Sequence, residues 1–191
     1  AGGAIPIGTA PQRAPVWPDG IVGSITHTLG THNQGLHTCD SPTRGYAAAV
    51  VARSHLVRAI GIDSENWIDA TTADNIRHQI LAPGDNCGTA QFASPAKRLT
   101  VIFSAKESVF KCLNPLVNRF FDFQAAAVTL LPATQATQGN FRFELLQDLN
   151  EEFRAGFIGH GCYTIGADGV HTAVLLRASD RQTERRAMAT A

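Results

Sequence analysis

Asp63 and Glu65 stand one residue apart at the end of the apolar run Ile60-Gly61-Ile62. In an extended strand, residues i and i+2 point the same way, so these two carboxylates converge. Such a pair repels itself unless a cation lies between its members. A hard divalent ion such as Mg²⁺ takes carboxylates together with phosphate oxygens, and so suits the pair. The competing reading is that acidic residues commonly end strands at solvent.

A second set lies on the helical stretch that follows Pro95. At about 100° per residue, Leu99, Ile102, Phe103, Val109, Phe110 and Leu113 form one apolar arc. Ser104, Glu107 and Lys111 fall together on a narrow stripe outside it. Glu107 and Lys111 are also spaced for an i,i+4 salt bridge, the plainer reading. Lys106 projects into the middle of the apolar arc. A lysine there snorkels, pairs with a carboxylate, or holds an anionic ligand at the helix face. A third set is Ser24, Thr26 and His27, hydroxyls and an imidazole at a strand end that could donate to a phosphate. A loop histidine with ordinary partners is the alternative.

The elements that position these groups can be read in outline. Residues 1–19 are proline-rich and read as an extended lead-in. Ile21–Ile25 is a short strand ending at Thr26-His27, and residues 29–45 form a long polar surface loop. Tyr46–Ala52 and Leu56–Ile62 are expected to form a hairpin turning at Arg53-Ser54-His55. A short helix spans 71–81, with Thr72 as its N-cap and Pro83-Gly84 as its stop. A longer helix spans 95–113, capped by Ser94, with Pro95 at its first position and Pro115 ending it. Strands follow near 126–131 and 141–146. A last hairpin covers 162–176, turning through Ala167-Asp168-Gly169. Strands and helices mix without βαβ alternation, which indicates an α+β fold.

Composition limits the alternatives. The chain has 191 residues, 44% hydrophobic and 17% charged. That length buries about 70% of the unfolded surface, enough for a core without covalent staples. Sixteen basic and sixteen acidic residues give a formal net charge of zero, so nothing global favours nucleic acid or an anionic membrane. No run of eighteen apolar residues marks a membrane span. The N-terminus has neither the basic nor the apolar region of a signal peptide. Cys39, Cys87, Cys112 and Cys162 show no paired spacing and read as reduced thiols of a cytoplasmic protein. His27, His32, His37 and Cys39 have spacings that match no common zinc pattern. His160 and Cys162 lack an evident base for a reactive thiol.

The segments Gly23-Ser24-Ile25-Thr26-His27, Ile60 to Glu65 and Phe103 to Lys111 resemble, in that order, the three motifs of the Sfp-type 4′-phosphopantetheinyl transferases. Pro15 to Gly20 resembles the family's P-x-W-P-x-G lead, and Gly45-Tyr46 the segment between its first two motifs. The resemblance is closest to the enterobactin-type branch. It covers residues 13–131 well and the rest loosely, including Gly169 to Ala173. It implies two similar α+β halves with the site at their junction, here 1–93 and 94–178, followed by a polar tail at 179–191. The family's first helix has no counterpart before the lead, and the 29–45 loop resembles an insertion.

The same resemblance implies roles. Asp63, Glu65 and Glu107 match magnesium ligands, with Mn²⁺ an alternative ion. Glu107 also matches the base for the acceptor serine, and Lys111 the group that neutralises departing 3′,5′-ADP. Thr26, His27, Lys106, Lys111 and, upstream, Arg13 match residues that hold coenzyme A. The implied reaction moves 4′-phosphopantetheine from coenzyme A to a serine of an acyl or peptidyl carrier protein. The implied molecule is a monomer of two similar halves, or a domain of a longer polypeptide. Two other classes stay open: a non-catalytic module binding coenzyme A or the carrier, and a metal-dependent phosphohydrolase.

Overall fold

The computed structural model describes residues 6–10, 14–28, 45–86, 92, 94–133 and 135–179. Two short strands, β1 (Gly8–Thr9) and β2 (Pro15–Val16), pair antiparallel near the start. Strand β3 (Ile21–Thr28) pairs antiparallel along its whole length with β4 (Tyr46–Arg53), from Ile21 opposite Arg53 to Thr28 opposite Tyr46.

Strand β5 (Val57–Asn66) belongs elsewhere. It edges a five-stranded antiparallel sheet with β6 (Ala126–Leu130), β7 (Gln138–Leu145), β8 (Ile158–Ile165) and β9 (Gly169–Arg177), in the order β5-β9-β8-β7-β6. The hairpin expected across 46–62 therefore does not form. Its two strands are real, but β4 takes β3 as partner and β5 takes β9. The burial of β5 explains the choice. Ala59, Ile60, Asp63 and Ser64 are buried on both faces of the strand, so β5 needs cover on both sides. An isolated hairpin cannot supply that. The 162–176 hairpin does form, as β8 and β9.

Two helices complete the fold. The first, α1 (Ala70–Ile80), is capped by Asp69, whose carboxylate accepts from the Thr72 N–H at 2.8 Å. Thr72 lies inside the first turn rather than at the cap. Asp69 offers the shorter, charged acceptor and also binds the Thr72 hydroxyl. The second, α2 (Pro95–Val117), starts at Ser94 with Pro95 in its first turn, as expected. It runs past Pro115 and ends at Asn118 in the left-handed conformation (φ 52°). Pro115 is tolerated because it falls in the last turn, where Asn118 closes the helix by donating to the Asn114 carbonyl at 2.9 Å.

Helix α2 packs on β5 and β9 with one side and on α1 with another. Its Val101, Ile102, Val109 and Leu113 join Phe141, Phe143, Tyr163 and Val174 in one core. Of the stripe expected outside the apolar arc, Ser104 is fully buried against the sheet, as is Ser108 beside it, while Glu107 and Lys111 are half-buried. Small hydroxyl residues make that close seat possible. Gly61 on β5 makes it closer still: a Cβ there would lie 1.9 Å from the Ser108 carbonyl oxygen. The fold is α+β, and strand pairing crosses the division expected at residue 93, because β5 hydrogen-bonds to β9. The 29–44 part of the polar loop, with His32, His37 and Cys39, lies outside the described residues, as do Arg13 and the tail beyond Ser179.

Candidate functional site

Three elements meet over the C-terminal end of β5. Asp63 and Glu65 come from β5 itself, Glu107 and Lys111 from α2, and Thr26 from β3. The sheet register puts Asp63 opposite Thr172 and Glu65 opposite Val170, on the face that α2 covers. Alternation along the strand thus aims both carboxylates at the helix, as the spacing predicts.

Asp63 is 3% exposed. Its Oδ1 accepts from the Lys111 ammonium at 2.6 Å and from the Thr26 hydroxyl at 3.5 Å, the outer limit of a hydrogen bond. Its Oδ2 is buried with no partner. Lys111 thus reaches across to β5 instead of pairing with Glu107 one turn back.

The two glutamates are held in a condition that resists ionisation. Burial, then the charges of Asp63 and Glu107, push the Glu65 carboxyl up to about 7 against the partial relief of Lys111. Burial and Asp63 likewise raise Glu107 above the usual carboxylate range. Three neighbouring carboxylates with one cation among them are short of positive charge. Among the described residues, no group of three His, Cys, Asp or Glu side chains is gathered closely enough to enclose a metal ion. The donor set nevertheless suits a hard cation: it is all oxygen, mutually repelling, and includes a buried Asp63 oxygen without a partner.

The remaining predicted residues fare differently. Thr26 is buried at the site, while His27, the next residue of β3, is exposed on the other face of the strand. Lys106 is not brought to the cluster. Its ammonium is buried and donates to the Ile80 carbonyl at 2.8 Å and the Phe123 carbonyl at 2.9 Å, and pairs with Asp85 at 2.7 Å. Those three partners use all three of its protons. Of the roles open to a lysine in the apolar arc, pairing with a carboxylate is the one the fold selects, and the assignment of Lys106 to coenzyme A has no free donor to support it. Burial lowers this ammonium's pKa while Asp85 opposes the shift. His160 and Cys162 lie exposed on β8.

Sequence reasoning missed two partners. Asp85 follows a Pro-Gly pair in a turn and carries no signal of its own. Thr172 stands opposite Asp63 and binds α2, and only the register of β5 against β9 discloses it. Beside Glu107, an apolar hollow of about 120 Å³ is lined by Phe110, Phe120, Phe121 and Phe123.

Known proteins resemble this chain over most of its length. Residues 59–158, more than half of the chain, match the model of the 4′-phosphopantetheinyl transferase superfamily. Residues 2–52 match that of the 4′-phosphopantetheinyl transferase N-terminal domain. The N-terminal match ends one residue before the end of β4, and the other begins two residues into β5. The chain is 33% identical over 145 residues to the 4′-phosphopantetheinyl transferase Npt of Nocardia iowensis, covering 74% of this chain and 58% of that protein. It is 29% identical over 144 residues to the 4′-phosphopantetheinyl transferase PptT of Mycobacterium tuberculosis, covering 75% and 56%. It is 34% identical over 128 residues to enterobactin synthase component D of Salmonella typhimurium, covering 66% and 46%. The chain spans about half the length of the curated relatives it matches.

Proposed function

Because the chain belongs to the 4′-phosphopantetheinyl transferase superfamily, whose members move the phosphopantetheine group of coenzyme A to carrier proteins, we propose that it transfers 4′-phosphopantetheine in the cytoplasm to a serine of an acyl or peptidyl carrier protein and releases 3′,5′-ADP. One observation carries the reading. Asp63, Glu65, Glu107 and Lys111, from two separate elements, interact at one buried place.

Asp63, Glu65 and Glu107 would hold a magnesium ion. When bound, the ion would supply the positive charge that the pyrophosphate of coenzyme A and the carboxylates lack. The protein's own groups supply the rest. Glu107, raised by burial, is a better base near neutral pH than an ordinary carboxylate and takes the proton of the acceptor serine. The serine oxygen then attacks the β-phosphorus of coenzyme A, and the bond to the departing 3′,5′-ADP oxygen breaks. Lys111 neutralises that oxygen. Phosphoryl transfer asks mainly for alignment and charge neutralisation, which these residues can supply. Thr26 supports Asp63 from β3, and His27 holds nucleotide phosphate from the exposed face of the same strand.

The test is the intact mass of a small apo acyl or peptidyl carrier protein incubated with this chain, coenzyme A and Mg²⁺. A gain of one phosphopantetheine, abolished by EDTA, supports the reading. A second reading, a module that binds coenzyme A or the carrier without transfer, is favoured by the Lys111 ammonium occupying the Asp63 carboxylate. Tight binding with no mass gain on several carriers would select it.

A further inference from the structure

Thr172 is 3% exposed and sits on β9 directly opposite Asp63. Its hydroxyl donates to the Ser104 carbonyl of α2 at 2.8 Å. It also meets the Ser108 hydroxyl at 2.7 Å and the Ser104 hydroxyl at 3.0 Å. One arrangement satisfies it completely: one proton given to the carbonyl, two lone pairs taking the serine protons. A threonine on the sheet therefore grips two successive turns of the helix.

Those turns carry the site. Ser104 lies three residues before Glu107 and Ser108 three before Lys111, so each serine neighbours one of the two charged groups on the helix surface. Gly61, two residues before Asp63, sets the nearest approach, because the β5 backbone there touches the Ser108 carbonyl. Gly61 thus limits how close α2 can come, and the Thr172 hydroxyl keeps it from moving away. A general apolar contact would not fix the helix along its axis; three hydrogen bonds to one atom do.

We infer that Thr172 is a positioning residue: it holds α2 against β5–β9 so that Glu107 and Lys111 stay in register with Asp63 and Glu65. This rests on the transferase reading of the same site. Thr172 touches none of the reacting groups and acts only through Ser104 and Ser108.

The test compares Thr172→Val, which keeps shape and removes the hydroxyl, with Thr172→Ser, which keeps the hydroxyl. Ser108 has an alternative acceptor in the Ser104 carbonyl at 3.1 Å, so Thr172→Val leaves only the Ser104 hydroxyl without its partner and is expected to fold. The readouts are kcat, KM for coenzyme A, the Mg²⁺ concentration for half-maximal rate, and the rise in Tm on adding Mg²⁺ alone. In Thr172→Val, kcat falls and the Mg²⁺ requirement rises by about ten- to a hundredfold, the usual cost of misplacing a site through its supports. KM for coenzyme A stays within about twofold, since misplacement acts on the chemical step more than on ground-state binding. Thr172→Ser recovers most of the loss. If Thr172→Val does not fold, Ser108→Ala is expected to show the same split with a smaller amplitude. A Thr172→Val (or Ser108→Ala) enzyme with wild-type kcat and Mg²⁺ requirement overturns the inference and leaves the transferase reading standing. A wild-type chain that shows neither transfer nor a Mg²⁺-dependent Tm overturns the transferase reading and this inference with it.

Discussion

The ammonium of Lys111 on α2 donates to Oδ1 of Asp63 on β5 at 2.6 Å, joining the helix to the strand through a carboxylate that is almost wholly buried. Removing the lysine leaves that carboxylate without its cation. The Lys111 side chain is 27% exposed, so the cost of Lys111→Ala lies between the at most about 1 kcal/mol of a surface pair and the about 3–5 kcal/mol of a fully buried one. Added Mg²⁺ should raise the Tm of Lys111→Ala more than that of the wild type, because a second cation can take the ammonium's place. Equal Mg²⁺ responses in thermal melts would count against a shared cation site.

Glu107 gives a separate prediction. Its carboxyl is raised by burial and by Asp63, so its ionised form works against folding at neutral pH. Glu107→Gln should therefore keep or slightly raise the metal-free Tm while cutting transfer by about 10²–10⁴. Near-wild-type turnover in the carrier mass assay would show that the base has been misassigned.

Cys112 tests burial at the same interface. Its thiol, fully covered by α2 and the sheet, is pushed up to about 12 from 9.0, mainly by burial. A raised group contributes stability that is complete below the unfolded value and is lost as pH rises toward about 12. At pH 8 an alkylating reagent should label exposed Cys162 promptly and spare Cys112 until the protein unfolds. Peptide mapping by mass spectrometry reads the difference; comparable labelling of both would contradict the seating of α2.

Lys106→Met separates a structural role from a ligand-binding one. It leaves Asp85 buried without its partner, though two backbone N–H groups, of Ala82 and Val128, still bind that carboxylate at 2.6 Å. The expected loss is about 3–5 kcal/mol in denaturant titration, with KM for coenzyme A within about twofold. A tenfold rise in KM with unchanged stability would return Lys106 to the substrate.

Gly61→Ala probes the floor beneath α2. The new methyl would meet the Ser108 carbonyl at 1.9 Å and the Cys112 N–H nitrogen at 2.6 Å, both backbone atoms that cannot swing aside. A loss of about 1–3 kcal/mol or more is expected, together with reduced transfer as the helix is pushed from the strand. A wild-type Tm would mean that α2 sits farther from β5.

Much of this was legible beforehand for a local reason. The convergence of Asp63 and Glu65 follows from strand alternation alone. Ser94 and Pro95 announce the start of α2, and Ala167-Asp168-Gly169 mark the turn of the β8–β9 hairpin to within a residue. Lys106 stood out as an anomaly in an apolar arc, but its carboxylate partner lies in a distant turn that no periodicity points to. The hairpin expected from β4 and β5 failed because adjacency in sequence favours pairing only when nothing better covers both faces of a strand.

The sequence by itself determined most of the elements, the family and the kinds of charged group available, since these depend on neighbours along the chain. Only the tertiary structure decided who meets whom: Lys111 with Asp63, Lys106 with Asp85, Thr172 with two turns of α2. Those choices arise from burying β5 on both faces and seating a helix of small hydroxyl residues over a glycine. Such packing depends on contacts between residues dozens of positions apart, and local spacing does not encode them.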